Sequence, residues 1–202
     1  MILVAIDFTE YNLTHLSEHT IAESIRDYLL RKYIDSRGKF EFSRREIGKP
    51  YIVDSDITYS LSHTNGCIGC AFCVDKLLFD VPELPKIVTE SGVYMIPSQY
   101  PCEIGLDIEV CDLSRTKERI DSIASRYFSE GEKERLKMCE NKYYDFYSIW
   151  TGKESYVKCT GDGMKAITSV DTSNLHPGTV MFEFMMVNDN KTYAANVCLI
   201  EK

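Results

Sequence analysis

No apolar run in these 202 residues approaches the roughly 18 to 20 that a bilayer-spanning helix requires. The opening MILVAIDF is shorter still and lacks the basic flank of a secretory signal, so no membrane partner and a cytoplasmic location are expected. Low-complexity tracts and flexible linkers are also missing, which argues for one rigid body over domains on a tether. Positive charge is in short supply: 23 Lys and Arg against 31 Asp and Glu leave a net charge of −8, which disfavours nucleic acid as a partner. Cysteine is modest at eight, with no short secreted framework around it, so reduced thiols are expected in place of structural disulfides.

What is present is a core-forming composition, 44% hydrophobic, with one uneven feature in its charge. Between Arg26 and Lys49 lie Arg31, Lys32, Arg37, Lys39, Arg44 and Arg45 against few acids, a local basic surface suited to a small anion. MILVAIDF and VYMIPS read as strands, while Ile21, Ile25, Tyr28, Leu29 and Tyr33 recur at helical spacing. Two β-type runs flank Asn65-Gly66, a strong hairpin signal. CEIGLDIEV is a further strand, SRTKERIDSIASRYF and SEGEKERLKMC are helical, and the tail on either side of NDNK reads as an antiparallel hairpin. The order predicts α+β architecture, helices packed on antiparallel sheet, in two related halves, 1–100 and 101–202.

Two constellations carry chemistry. In EIGLDIEV the apolar Ile104, Leu106 and Ile108 alternate with Gly105, Asp107 and Glu109, which puts both carboxylates on one face of a strand, roughly 7 Å apart. Such a pair is commonly a solvated face, but hard carboxylate oxygens are also what Mg²⁺ prefers. In FYSIWTGKESYVK, Phe146, Trp150 and Val157 form an apolar stripe on a helical wheel and Lys153 points into its middle, with Glu154 and Lys158 on the border. A lysine facing the core must snorkel or meet an anion, and a bound phosphate is one such anion. Ser129 with Glu132 three residues on is a capping box, and Glu132 is a candidate fourth carboxylate. The run CIGCAFC begins like a ferredoxin motif but lacks its ending, and on a strand Cys67 and Cys73 face one side while Cys70 faces the other. Small buried hydrophobes are the expectation there.

GLDIE, YFSEGE and WTGKESYVKCTGDGM, preceded by GKPYI and SLSHTNG, resemble in order and spacing the signature segments of the 4′-phosphopantetheinyl transferases, across about residues 40–164. The resemblance is to the longer, surfactin-synthetase-activating type, monomers of two similar halves that form a pseudo-dimer. It implies Mg²⁺-dependent transfer of the 4′-phosphopantetheine arm of coenzyme A to a serine of an acyl or peptidyl carrier protein, releasing adenosine 3′,5′-bisphosphate. By position in the motifs, Asp107, Glu109 and Glu154 would hold Mg²⁺, with Glu132 beside it directly or through water. Glu154 would also take the serine proton, Lys158 would contact the phosphate, and Lys153 belongs to the same signature. Lys49, Pro50, Ser62 and His63 would surround the adenine and 3′-phosphate of coenzyme A. Residues 10–20 hold no Lys or Arg where the family often has a basic cluster, so Arg26, Arg31, Arg44 or Arg45 would take that duty. The rival class is a non-catalytic module of the same fold that binds coenzyme A or a carrier protein; an iron–sulfur protein is the third.

Overall fold

The computed structural model describes residues 1–8, 17–98 and 101–201. The reading of residues 10–16, and the boundary expected at residue 100, lie outside them. The described strands form two four-stranded sheets and one two-stranded ribbon. The first sheet comprises β1 (Ile2–Asp7), β4 (Thr58–Thr64), β5 (Cys67–Cys73) and β7 (Gly92–Ile96) in the order β4-β5-β1-β7. The second comprises β6 (Ile87–Val88), β8 (Cys102–Val110), β9 (Thr179–Asn188) and β10 (Lys191–Glu201) in the order β6-β9-β10-β8. Pairing is antiparallel throughout both sheets except between β6 and β9. The content is therefore α+β with antiparallel sheet.

Alternation along the strands explains the layering. Ile2, Val4 and Ile6 of β1 and Cys67, Ala71 and Cys73 of β5 face Ile104, Leu106 and Ile108 of β8 and Ala195, Val197 and Leu199 of β10, forming a core between the sheets. Each such side chain, fully buried, contributes about 1.5–3 kcal/mol. The opposite face of the first sheet, with Leu3, Ala5, Cys70 and Phe72, is covered by Leu29 and Leu30 at the end of α1 (Glu18–Leu29) and the π-helical turn Leu30–Ile34 that continues it. β5 is thus central and packed on both faces, which is why every residue of CIGCAFC is buried. The Asn65-Gly66 turn joining β4 and β5 has positive φ at both residues, as its sequence predicts.

The outer face of the second sheet carries α4 (Lys142–Thr160), flanked by α2 (Lys117–Tyr127) and α3 (Glu130–Met138). Asn141 caps α4 by accepting from the amide of Tyr144 (3.1 Å), and Gly161, at φ 81°, ends it in the left-handed conformation. The large apolar stripe packs mainly on the neighbouring helices and loop, with Ala194 of β10 in the same cluster. Phe146 packs with Ile120, Ala124 and Phe128, and Val157 with Ile167 and Val170. The sheet meets the small side of the helix, where Ser148, Thr151, Ser155 and Cys159 are all buried. A Cβ on Gly105 of β8 would lie 1.9 Å from the carbonyl oxygen of Ser155, so helix and strand backbones are in direct contact there.

β4 and β8 are the terminal strands of their sheets and lie side by side. Hydroxyls, not a backbone ladder, join them. Thr58 donates to the carbonyl of Cys102 (2.7 Å), Ser60 accepts from the amide of Leu106 (2.9 Å), and Ser62 accepts from that of Ile108 (3.1 Å). Three strands escaped the sequence pattern: β2 (Phe42–Arg44) and β3 (Pro50–Ile52), which pair as a ribbon, and β6, by which residues before 100 lend a strand to the second sheet.

Candidate active site

β8 turns Asp107 and Glu109 toward α4, and α4 brings Glu154 to them; oxygens of the three lie within 4.8 Å of one another. Asp107 is 3% exposed. One of its oxygens accepts from Lys158 Nζ (2.6 Å) and Ser62 Oγ (3.2 Å), while Oδ2 is buried with no hydrogen-bond partner. Burial, then the charge of Asp107, pushes Glu109 up to about 7, against the pull of Lys158 and Arg115. Burial and Asp107 raise Glu154 to about 7 as well, against Lys158. Three converging carboxylates, one with an orphaned buried oxygen, are a hard-oxygen donor set that fits a divalent cation such as Mg²⁺. Lys158 closes one side, donating also to the carbonyl of Leu106 (3.1 Å) and to Ser62 Oγ (3.3 Å).

Lys158 is also a wall of a cavity of about 280 Å³ that opens between α1, the β2–β3 ribbon, β4 and the end of α4. Of the residues expected to surround a nucleotide, Arg44, Lys49, Pro50 and His63 line it. His19 and Tyr59, which sequence reasoning did not select, line it too. The His19 and His63 ring centroids are 6.1 Å apart, and His63 Nδ1 lies 3.3 Å from Glu18 Oε2. Arg26, on the same wall, is 6% exposed with its guanidinium 3.5 Å above the Phe42 ring and 2.7 Å from Asp27. Arg31 is not among the lining residues.

Several expected assignments are redirected. Lys49 gives the cavity its stem, but its ammonium is held by Glu103 and the carbonyl of Cys159, so its charge is matched inside the fold. Arg45 is not on the cavity wall and pairs with the same Glu103 (3.1 Å). Ser62 points to Asp107 and Lys158 and is not a lining residue. Glu132 does not join the three carboxylates. Its Oε2 accepts from the amide of Ser129 (2.8 Å) and from Lys153 (2.9 Å), and its Oε1 from the amide and hydroxyl of Thr172 (both 2.8 Å). The anion that Lys153 meets in the core is therefore Glu132, not a phosphate; it also donates to the carbonyl of Val170. Glu103 was overlooked although the signal was available, since it continues the face of Gly105, Asp107 and Glu109 by strand alternation.

Residues 103–197, which contain all three carboxylates and Lys158, match the family model of the 4′-phosphopantetheinyl transferase superfamily. This stretch of the chain is similar to that superfamily. It is 30% identical over 142 residues to the 4′-phosphopantetheinyl transferase gsp of Aneurinibacillus migulanus, a match over 69% of this chain and 46% of that protein. Against the 4′-phosphopantetheinyl transferase Sfp of Bacillus subtilis it is 29% identical over 155 residues, 75% of this chain and 55% of that one. With the 4′-phosphopantetheinyl transferase HetI of Nostoc sp. the identity is 26% over 164 residues, 78% of this chain and 57% of the relative. The chain thus spans about half the length of the curated transferases it matches.

Proposed function

We propose that this chain transfers the 4′-phosphopantetheine arm of coenzyme A to a serine hydroxyl of an acyl or peptidyl carrier protein, releasing adenosine 3′,5′-bisphosphate. The observation that carries the reading is the meeting of Asp107, Glu109 and Glu154, from a strand and a helix 45 residues apart in sequence, with Lys158 against them. In this reading the carboxylates hold Mg²⁺, which when bound neutralises charge on the diphosphate of coenzyme A. The serine oxygen attacks the phosphorus that bears the pantetheine, and the bond from that phosphorus to the adenosine-side phosphate oxygen breaks. Glu154 accepts the serine proton on a carboxylate oxygen. Lys158, one-third exposed and already oriented by Asp107 and Ser62, offers its ammonium to the developing negative charge. The cavity beside Lys158 takes the nucleotide, with Arg44 and His63 for phosphate and Tyr59, Leu61 and Val157 for the base.

The same proposal covers the wider organisation: two similar halves in a pseudo-dimeric, monomeric cytoplasmic enzyme, with residues 1–100 on the nucleotide side and 101–202 carrying the metal. The acceptor docks on the segment LSRTKERIDSIASRYF through Arg115, Lys117 and Arg119, of which Lys117 and Arg119 on α2 are exposed and Arg115 is half-buried; carrier proteins, as acidic bundles, suit such a face. Mass spectrometry tests the activity directly. Incubation with coenzyme A, MgCl₂ and a purified apo carrier protein should add one phosphopantetheinyl group to the acceptor, and nothing when EDTA replaces MgCl₂. An unmodified acceptor across fatty-acid, polyketide and peptide carriers would reject the assignment.

A further inference from the structure

Lys153 and Glu132 are 0% and 1% exposed, and the transfer reading leaves both without a task. Taking two such charges out of water costs several kcal/mol per ion unless their hydrogen-bonding capacity is met, and here it is met in full on the carboxylate side. Glu132 accepts from Ser129, Lys153 and twice from Thr172, leaving no oxygen to turn toward an ion. The ammonium of Lys153 is shared between Glu132 and the carbonyl of Val170. A second bond runs parallel, from Ser129 Oγ to Asp171 Oδ1 (2.9 Å). Three segments are therefore tied at one point: the start of α3, the loop 170–172 and the α4 residue next to Glu154.

That point adds a restraint on the rotation of α4 to those from the packing of Phe146 and Val157 and the bonds of Lys158. Contact of Gly105 with Ser155 fixes how close α4 lies to β8, and the direction in which Glu154 points depends in addition on how the helix is turned about its axis. Successive residues are about 100° apart around a helix, so holding Lys153 on one side sets the direction of Glu154 on the next. We propose that Lys153 and Glu132 are positioning residues, a buried ion pair that sets the rotation of α4 and so aims Glu154 at Asp107 and Glu109, with neither touching metal or phosphate. The consequence for turnover rests on the transferase reading; the consequence for metal binding does not.

The test is a cycle of Lys153→Met, Glu132→Gln and the double variant, each titrated with Mn²⁺ alone by electron paramagnetic resonance and then assayed for transfer. Both single variants should weaken Mn²⁺ by the same factor, about tenfold, and the double should be no weaker than either, because one shared device has been removed. kcat should fall in parallel while KM for coenzyme A stays within about twofold of wild type. The proposal is overturned if Glu132→Gln weakens Mn²⁺ while Lys153→Met does not, which would make Glu132 a ligand. It is equally overturned if Lys153→Met alone raises KM for coenzyme A, or if the losses add. Should a single variant fail to fold, the double decides, since it strands no buried charge: a folded double with wild-type Mn²⁺ affinity refutes the positioning role. An absence of transfer in wild type would reject the activity and leave the Mn²⁺ comparison intact.

Discussion

Replacing Gly105 by Ala adds one methyl group at the tightest point between β8 and α4. The new Cβ would sit 1.9 Å from Ser155 O, 2.5 Å from Cys159 N and 3.0 Å from Cys159 Cβ. Two of these are helix backbone, so no rotamer change relieves them. Ordinary contact begins at about 3.5 Å, and α4 must retreat by well over 1 Å or β8 must bend. Overpacking of this kind costs typically 1–3 kcal/mol. The functional loss should be larger than that figure suggests, because Asp107 and Glu109 stay with the strand while Glu154 and Lys158 leave with the helix. A misplacement near 1 Å costs on the order of 10²-fold in rate. The assay is kcat on a carrier protein beside a melting curve. Gly92→Ala is the control, since the nearest atoms to its Cβ are the hydroxyl and adjoining ring edge of the Tyr94 side chain, not backbone. A Gly105→Ala protein with wild-type turnover and melting temperature would refute the close-approach argument.

Glu154→Gln should lose 10²–10⁴-fold in kcat while raising the melting temperature of the metal-free protein by roughly 2–4 °C, because one of three crowded carboxylates is neutralised; calorimetry and a turnover assay read the two effects separately. Glu109 and Glu154 are both raised from 4.5 to about 7, so the stability linked to their protons is fully present below about 4.5 and lost as pH rises through about 7. The rise in melting temperature given by MgCl₂ should therefore grow with pH across that window and be small at pH 5. Ser62→Ala removes the acceptor of the Ile108 amide and a partner of both Asp107 and Lys158, and should cost about 1–3 kcal/mol in denaturant unfolding. Lys117→Glu with Arg119→Glu should raise KM for an acidic carrier protein about tenfold and leave that for coenzyme A unchanged. Arg115 is left out of that pair: its guanidinium lies 5.7 Å from the Phe146 ring centroid and 5.5 Å from that of Tyr147, so its loss would also disturb packing.

Much of this was legible in local pattern. Strand alternation placed Asp107 and Glu109 on one face, Asn65-Gly66 announced its hairpin, and Ser129 with Glu132 announced a capping box whose two bonds both form. The helical wheel rightly marked Lys153 as a charge in the core, but its partner is 21 residues away and no periodicity encodes which helix start packs beside which helix middle. The same limit hid the partners of Glu103, whose cations come from 58 and 54 residues upstream. The wheel marked the large stripe of α4 and gave no sign of its small side, where Ser148, Thr151 and Ser155 allow the close packing on the sheet that bulky side chains would prevent. β6, two residues long, has too little sequence to show a period.

The seam of hydroxyls between β4 and β8 has a consequence beyond the placement of Asp107. Each of these strands closes its own sheet, and an uncovered strand of that kind presents a row of amides and carbonyls on which foreign chains can extend. Here Ser60 and Ser62 occupy the amides of Leu106 and Ile108, and the two borders shield each other. The line that assembles the acidic cluster thereby doubles as protection against aggregation, and variants that loosen it should be judged by solubility as well as by rate.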